Sequence, residues 1–219
     1  MNDMLAFIKK YSYCFYEQDE IIMDILNLAP KLYDNFDIPD QPSLLNWDKL
    51  HLDRVKTEAQ IQRNFYNFEN DKTTTVSYNF ELTDGKDDFN KLIDVYFETV
   101  VEIFSGLAEG LGINKDVNTA SLSYNFLKYY KRNPTATSKK SYPHMGMHKD
   151  NKTFSLVNST HPGLVSRDDS TGKWMPLFRT PKTSAIFLGT QQSLYPAREH
   201  MVKFFHPKIK TRYSFIVFF

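Results

Sequence analysis

Cysteine is nearly absent from this chain, because Cys14 is the only one among its 219 residues. A single thiol excludes a disulfide within the chain, and it also excludes zinc or iron–sulfur centres that need several cysteines. Cys14 lies in the aromatic stretch 11–16. A buried structural thiol is therefore a better interpretation than a reactive one.

The chain also lacks an excess of charge of one sign and any long apolar run. Its 27 basic and 26 acidic residues leave a formal net charge of +1, whereas nucleic-acid-binding proteins usually carry a clear basic excess. No apolar run is long enough to span a membrane, and the order of charged and apolar residues in 1–10 does not fit a secretory signal. We therefore expect a soluble cytoplasmic protein that acts on neither nucleic acid nor membrane.

What the chain does contain is enough apolar material for a core, with 41% hydrophobic and 15% aromatic residues. Its length fits one domain. Apolar residues at helical spacing predict helices over 20–32 and 87–111, and a further helix is expected over 47–62. Alternating β-branched and aromatic residues predict a strand over 73–82. Residues 1–120 are therefore interpreted as a mainly helical support within a single domain.

From residue 121 onward the pattern changes to short strands separated by turn residues. The candidate strands are 121–130, 144–150, 153–158, 163–167, 173–178, 184–189, 193–204 and 211–219. Their number and length suit a double-stranded β-helix, or jelly roll, which can hold a small ligand. The predicted fold is therefore mainly β with supporting helices, and residues 121–219 form its jelly-roll core.

The most informative pair of residues is His148 and Asp150, which are separated by one position. On a strand, residues i and i+2 point to the same side, so this imidazole and carboxylate would face together. A third metal ligand would have to come from another strand, and His200 and His206 are the candidates. Two histidines and one carboxylate leave one side of a metal ion open, an arrangement typical of non-haem Fe(II) and oxygen chemistry.

Arg212 favours His200 over His206 as the third ligand. If 198–205 and 211–219 form a hairpin, His200 lies across from Arg212. His206 would then lie in the turn beside a proline and would not share a pocket with the arginine. The sequence therefore predicts a metal site made of His148, Asp150 and His200.

Arg212 and Ser214 are again separated by one position, so they would share one face of the last strand. A guanidinium fork beside a hydroxyl makes a receptor for a carboxylate. The metal site and the carboxylate site would then face the same cavity. The opposing interpretation is a binding barrel whose histidines are incidental.

Several segments of residues 90–219 resemble motifs of the Fe(II)/2-oxoglutarate-dependent dioxygenase superfamily. The resemblance is greatest to the branch of isopenicillin N synthase and the plant-type small-molecule oxygenases. The matching segments are 127–130 (the "NYY" segment), 147–153 (the first ligand strand), 160–164 ("PGL"), 171–176 ("GKWxPV"), 185–189 (a strand ending in Gly), 200–202 (the second ligand strand) and 212–214 ("R-x-S").

The resemblance implies that Fe(II) and 2-oxoglutarate are the cofactors. The implied metal ligands are His148, Asp150 and His200, and the implied residues for the far carboxylate of 2-oxoglutarate are Arg212, Ser214 and Tyr130. The reaction would consume molecular oxygen, convert 2-oxoglutarate into succinate, and hydroxylate or desaturate a small molecule, with carboxylate-bearing metabolites among the candidates. No catalytic side chain beyond the metal site is implied.

Two alternatives remain open at this point. One is an Fe(II) oxidase of the isopenicillin N synthase kind, in which Arg212 and Ser214 bind the carboxylate of the substrate itself. The other is a jelly-roll binding protein without catalytic activity. Formation of succinate would separate the first alternative from a 2-oxoglutarate-dependent enzyme, and anaerobic binding of Fe(II) would exclude the second.

Overall fold

The computed structural model describes residues 1–34, 60–68, 71–79, 88–131, 145–168, 170–202 and 211–219. The helical elements are α1 (Asn2–Tyr11), α2 (Ile21–Asp34), α3 (Asp88–Leu111) and a 3-10 turn (Thr119–Ser121). The strands are β1 (Tyr13–Glu17), β2 (Gln60–Phe68), β3 (Asp71–Asn79), β4 (Ser123–Lys131), β5 (Met145–His148), β6 (Phe154–Ser159), β7 (Leu164–Arg167), β8 (Trp174–Pro176), β9 (Thr183–Leu188), β10 (His200–Val202) and β11 (Thr211–Phe218). Among these described helices, none is long and apolar enough to cross a membrane.

The strands form two antiparallel sheets. The larger has seven strands in the order β1-β9-β6-β11-β4-β3-β2, and the smaller has four in the order β5-β10-β7-β8. The eight strands predicted after residue 121 are all present, although the strand predicted over 193–204 is limited to His200–Val202 among the described residues. They contribute β4, β11, β6 and β9 to the larger sheet and the whole of the smaller one. The predicted jelly-roll core is therefore confirmed.

Around β6 and β9 the larger sheet is buried on both faces, because helices cover one side and the smaller sheet covers the other. Along β9, Ile186 and Leu188 belong to the core formed with the helices. Ala185 and Phe187 alternate with them and pack in a second core together with Leu164 of β7. This alternation follows from the two-residue period of a strand. The space between the sheets is therefore lined by alternate residues of each strand, and these residues build the site.

Helix α3 is the long helix predicted over 87–111, and it supports the larger sheet from behind. Its apolar stripe is buried, and the ring of Phe104 stacks on that of Phe154 in β6 with 5.2 Å between the centroids. The helix ends at Leu111, and Gly112 follows with φ at 71°. That left-handed conformation favours glycine because a side chain would be strained there.

Two strands of the first half were not expected from the sequence. The predicted helix over 47–62 is wrong at residues 60–62, which begin β2, while residues 47–59 lie outside the described residues. β1 is short, and it is stabilised by pairing with β9, far away along the chain. Cys14 in β1 is buried, and burial raises the pKa of its thiol to about 12. This confirms its interpretation as a structural residue.

Candidate metal centre

Pairing between β5 and β10 brings two histidines together in the space between the sheets. His148 is the last residue of β5, His200 is the first of β10, and the two are direct cross-strand partners. Residues that lie directly opposite each other on antiparallel strands point to the same face. The centroids of the two imidazole rings are accordingly only 4.3 Å apart.

Asp150 completes the group from the loop that follows β5. Its Oδ1 atom lies 3.4 Å from Nε2 of His148 and 3.7 Å from Nε2 of His200. The strand expected over 144–150 ends at His148, so Asp150 reaches the site from a loop rather than from within a strand. The predicted convergence of the three side chains is nevertheless present.

The loop that carries Asp150 is held in place by the backbone after β9. The amide of Thr190 donates to the carbonyl of Asp150 at 2.9 Å, and the amide of Gly189 donates to the carbonyl of Thr153 at 3.0 Å. A Cβ atom on Gly189 would lie 2.2 Å from the carbonyl oxygen of Lys152 and 2.7 Å from that of Asp150. Glycine at this position therefore permits the close approach that fixes the loop.

The predicted hairpin between 198–205 and 211–219, which favoured His200 over His206 as the third ligand, is wrong. β10 pairs with β5 and β7 in the smaller sheet, whereas β11 pairs with β4 and β6 in the larger sheet. The chain crosses from one sheet to the other between these strands, as jelly-roll connections do. His200 lies near Asp150 because it pairs with His148. His206 lies outside the described residues.

The three side chains differ in their exposure to solvent. The exposed fraction of the side chain is 5% for His200, 13% for Asp150 and 35% for His148. The ring of Phe187 covers His200 in a parallel stack, with 4.6 Å between centroids and 7° between planes. A small molecule would therefore approach the group from the His148 side.

The electrostatics of the group suit metal ligation. Burial raises the pKa of Asp150, but the hydrogen bond from His148 and the charge of His200 together lower it by more. The pKa of Asp150 therefore lies below its ordinary value. Burial lowers the pKa of His200 below its ordinary value, although Asp150 opposes that shift. At neutral pH the group therefore offers a carboxylate and a neutral imidazole, and these are the protonation states in which such side chains bind metals.

The donor set fits a divalent metal ion. One ligand atom each from His148, Asp150 and His200 lies within 4.8 Å of the others, and no second such group occurs among the described residues. Two imidazole nitrogens and one carboxylate oxygen are the donors found in oxygen-activating Fe(II) sites with open positions. The chemistry of these donors therefore fits Fe(II).

Arg212 lies between the sheets with its guanidinium among hydroxyl groups. Its Nη1 donates to Oγ of Ser214 at 2.6 Å, and its Nη2 donates to Oγ of Ser159 at 2.5 Å. Its Nε donates to the carbonyl of His161 at 2.9 Å, and the residue is fully buried. Arg212 and Ser214 therefore lie side by side as predicted.

Ser159 is a member of this cluster that the sequence reasoning missed. It is the cross-strand partner of Ser214, and the two hydroxyl oxygens are 2.9 Å apart. The available signal was weak, since it consisted of a serine at an inward position of the fully buried strand β6. Only the pairing of β6 with β11 places this hydroxyl at the guanidinium.

The predicted contribution of Tyr130 stays a prediction. Its position on β4 pairs with Thr211, while Arg212 pairs with Tyr129. The side chain of Tyr130 lies outside the described part of the structure.

No protein-family model and no curated protein matches the chain. Solved structures do match, among them a full-length protein of Neurospora crassa in complex with α-ketoglutarate and 5-formyluracil. That match has a TM-score of 0.62 at 14% identity and covers 99% of this chain and 76% of that one. The dioxygenase for auxin oxidation 1 of Arabidopsis thaliana, in a binary complex with 2-oxoglutarate, matches with a TM-score of 0.63 at 14% identity, covering 99% and 86%.

A protein of Caulobacter crescentus assigned to the 2OG-Fe(II) oxygenase family also matches. Its TM-score is 0.63 at 16% identity, with 99% of this chain and 80% of that one covered. The chain therefore shares its fold with these proteins, which confirms the fold that the resemblance implied. The matches do not single out the isopenicillin N synthase branch.

Proposed function

We propose that this protein is a non-haem, Fe(II)- and 2-oxoglutarate-dependent oxygenase that hydroxylates or desaturates a small molecule while 2-oxoglutarate is converted into succinate. The observation that carries the proposal is the convergence of His148, Asp150 and His200 between the sheets of a jelly roll. Structural neighbours that bind α-ketoglutarate support it. A metal centre without this fold, or this fold without the three ligands, would be much weaker support for the proposed function.

The three ligands hold Fe(II) in this proposal, and a bound Fe(II) supplies the activation of molecular oxygen. Nε2 of each histidine faces Oδ1 of Asp150, so all three donor atoms point to one place. The carbonyl of Arg198 lies 3.2 Å from Nδ1 of His200, and a carbonyl can only accept. Nδ1 therefore carries the proton, which leaves the lone pair of Nε2 for the metal.

Arg212, Ser214 and Ser159 bind the far carboxylate of 2-oxoglutarate, and Tyr130 is proposed to assist. A guanidinium and a hydroxyl are both donors to a carboxylate, and such charge-assisted bonds are about twice as strong as neutral ones. The carbonyl of His161 accepts from Nε and fixes the orientation of the guanidinium. The buried position of the cluster excludes water, which would otherwise weaken the charge interaction.

The proposal is tested by anaerobic titration with Fe(II) and by a succinate assay. We expect wild type to bind Fe(II) and to form succinate from 2-oxoglutarate in the presence of oxygen. The Asp150→Ala variant should lose Fe(II) affinity by more than the roughly 10–100-fold that removing a residue behind the ligands costs. Asp94→Ala is the control, because Asp94 is exposed on α3.

The outcomes of this test distinguish the candidate functions from one another. Absence of Fe(II) binding by wild type, or equal binding by Asp150→Ala, would show that the protein is not an iron enzyme of this kind. Binding with substrate-dependent oxygen uptake but no succinate would instead favour the oxidase, in which Arg212 and Ser214 receive the carboxylate of the substrate. A panel of carboxylate-bearing metabolites and amino acids is the substrate set to screen.

A further inference from the structure

His200 is oriented by the backbone of the residue two positions before it. Its Nδ1 donates to the carbonyl of Arg198 at 3.2 Å. The amide of Arg198 in turn donates to the carbonyl of Leu188 at 2.8 Å, at the end of β9. The carbonyl that selects the tautomer of His200 therefore belongs to a residue whose own amide is anchored to the larger sheet.

The side chain of Arg198 is also fixed, although it is not a ligand. It is buried, its Nε donates to Oγ of Ser166, and its guanidinium lies over the ring of Tyr13 at 5.2 Å from the centroid. Oγ of Ser166 donates to the carbonyl of Glu199 at 2.9 Å. The hydroxyl of Ser166 thus accepts from Arg198, whose carbonyl orients the imidazole of His200. The same hydroxyl donates to the carbonyl of Glu199, the residue between Arg198 and His200.

Ser166 is placed for this task by the smaller sheet. It lies on β7, is fully buried, and is the direct cross-strand partner of His200. His200 therefore has His148 as its partner on one side, and on the other a serine that restrains the two residues before it. A buried arginine and a buried hydroxyl lose their contacts with water, so this hydrogen bond offsets part of the cost of burying them.

We propose that Ser166 and Arg198 are positioning residues that set the tautomer and orientation of His200 before the metal binds. They act through the carbonyl of Arg198 and do not touch the metal. The inference rests on the proposed function only in that His200 is taken as a metal ligand. Residues behind metal ligands typically contribute about 10–100-fold to metal affinity, because they fix the ring and its tautomer.

The first test is made on the metal-free protein. Long-range ¹⁵N–¹H NMR of the imidazole distinguishes the Nδ1–H from the Nε2–H tautomer. We expect wild-type His200 to be in the Nδ1–H form and Ser166→Ala to populate the Nε2–H form at least several-fold more. The Ser166→Thr variant keeps the hydroxyl and should restore the wild-type ratio.

The second test measures anaerobic affinity for Fe(II), and for Co(II) as a spectroscopic probe. Ser166→Ala and Arg198→Met should each lower affinity at least about 10-fold. Because both remove the same hydrogen bond, the double variant should lose little more than the worse single variant. Arg198→Met also provides the measurement if Ser166→Ala fails to fold.

Ser184→Ala is the matched control. Ser184 is a fully buried serine on β9 that accepts a hydrogen bond from Gln18 and donates one to Asn158, among contacts that reach Tyr96 of α3. Its loss should reduce the free energy of unfolding while leaving the tautomer of His200 and the metal affinity unchanged.

Wild-type tautomer and affinity in Ser166→Ala would overturn the inference, and so would an equal loss of affinity in Ser184→Ala. If wild type bound no metal while Ser166→Ala still shifted the tautomer, the positioning role would stand and the proposed function would fail.

Discussion

At the scale of single residues, the buried guanidinium of Arg212 has two serine partners of different origin. Ser214 follows from the spacing along β11, whereas Ser159 comes from the neighbouring strand β6. Both hydroxyls lie on the same fork and within 2.9 Å of each other. If this fork binds the far carboxylate of 2-oxoglutarate, Ser159 can donate to that carboxylate alongside Ser214 once the hydrogen bond between the two hydroxyls is exchanged for bonds to the ligand.

We therefore predict that Ser159→Ala raises the KM for 2-oxoglutarate by roughly 10- to 150-fold, since a hydrogen bond to a charged group contributes roughly 1.5–3 kcal/mol. The succinate assay with varied 2-oxoglutarate measures this effect. Fe(II) affinity in the absence of 2-oxoglutarate should not change, because Ser159 does not touch the metal ligands. An unchanged KM would show that Ser159 only supports the arginine.

At the scale of elements, the site depends on contact between two loops. The loop after β5 carries Asp150, and the segment that follows β9 is joined to it by backbone hydrogen bonds from Gly189 and Thr190. A side chain at Gly189 would have to displace carbonyl groups of the ligand loop, and backbone cannot yield as a flexible side chain can. The position of the carboxylate is therefore coupled to a glycine that has no metal-binding group.

We predict that Gly189→Ala lowers Fe(II) affinity at least about 10-fold and the free energy of unfolding by about 1–3 kcal/mol, the usual cost of overpacking. Titration with Fe(II) and denaturant unfolding measure the two effects. Gly172→Ala is the control: it is strained because φ is 66°, but its Cβ would meet nothing within 4 Å. It should lose stability and keep full metal affinity, and equal losses of affinity in both variants would contradict the coupling.

At the scale of the whole molecule, burial of the ligand group links the protonation of His200 and Asp150 to the stability of the fold. His200 is almost fully buried with its pKa held below the ordinary value, and the pKa of Asp150 is also held below its ordinary value. In both cases the unfolded chain binds protons at a higher pH than the folded chain does. Acid therefore favours the unfolded state of the metal-free protein.

We predict that the free energy of unfolding of the metal-free protein falls as the pH drops below about 6.5, the ordinary pKa of histidine. The contribution of Asp150 is lost at lower pH, as the pH falls through the lowered pKa of that carboxyl. Chemical denaturation at a series of pH values measures both. His200→Gln should flatten the upper part of the profile, and an unaltered profile in this variant would contradict the assignment to His200.

Much of the fold was predictable because its signals are local. The alternation of residues gave the eight strands after residue 121, and the wide apolar stripe gave α3. Turn residues and helical spacing depend on neighbours a few positions away, so they can be interpreted without knowledge of the partners. β1 was missed because this five-residue strand is stabilised by β9, a distant partner, rather than by its own composition. The start of β2 was misinterpreted as the end of a helix, and its pairing with β3 makes it a strand.

The sequence by itself determined which side chains could form a metal site and a carboxylate site, through the spacing of His148 with Asp150 and of Arg212 with Ser214. Only the tertiary structure decided how these pairs are completed. His200 joins the site through the pairing of β10 with β5, not through a hairpin with β11, and Ser159 joins through the pairing of β6 with β11. The physical reason is that strand periodicity is a local property. The choice of pairing partner depends instead on burial of contacts that are far apart in the chain.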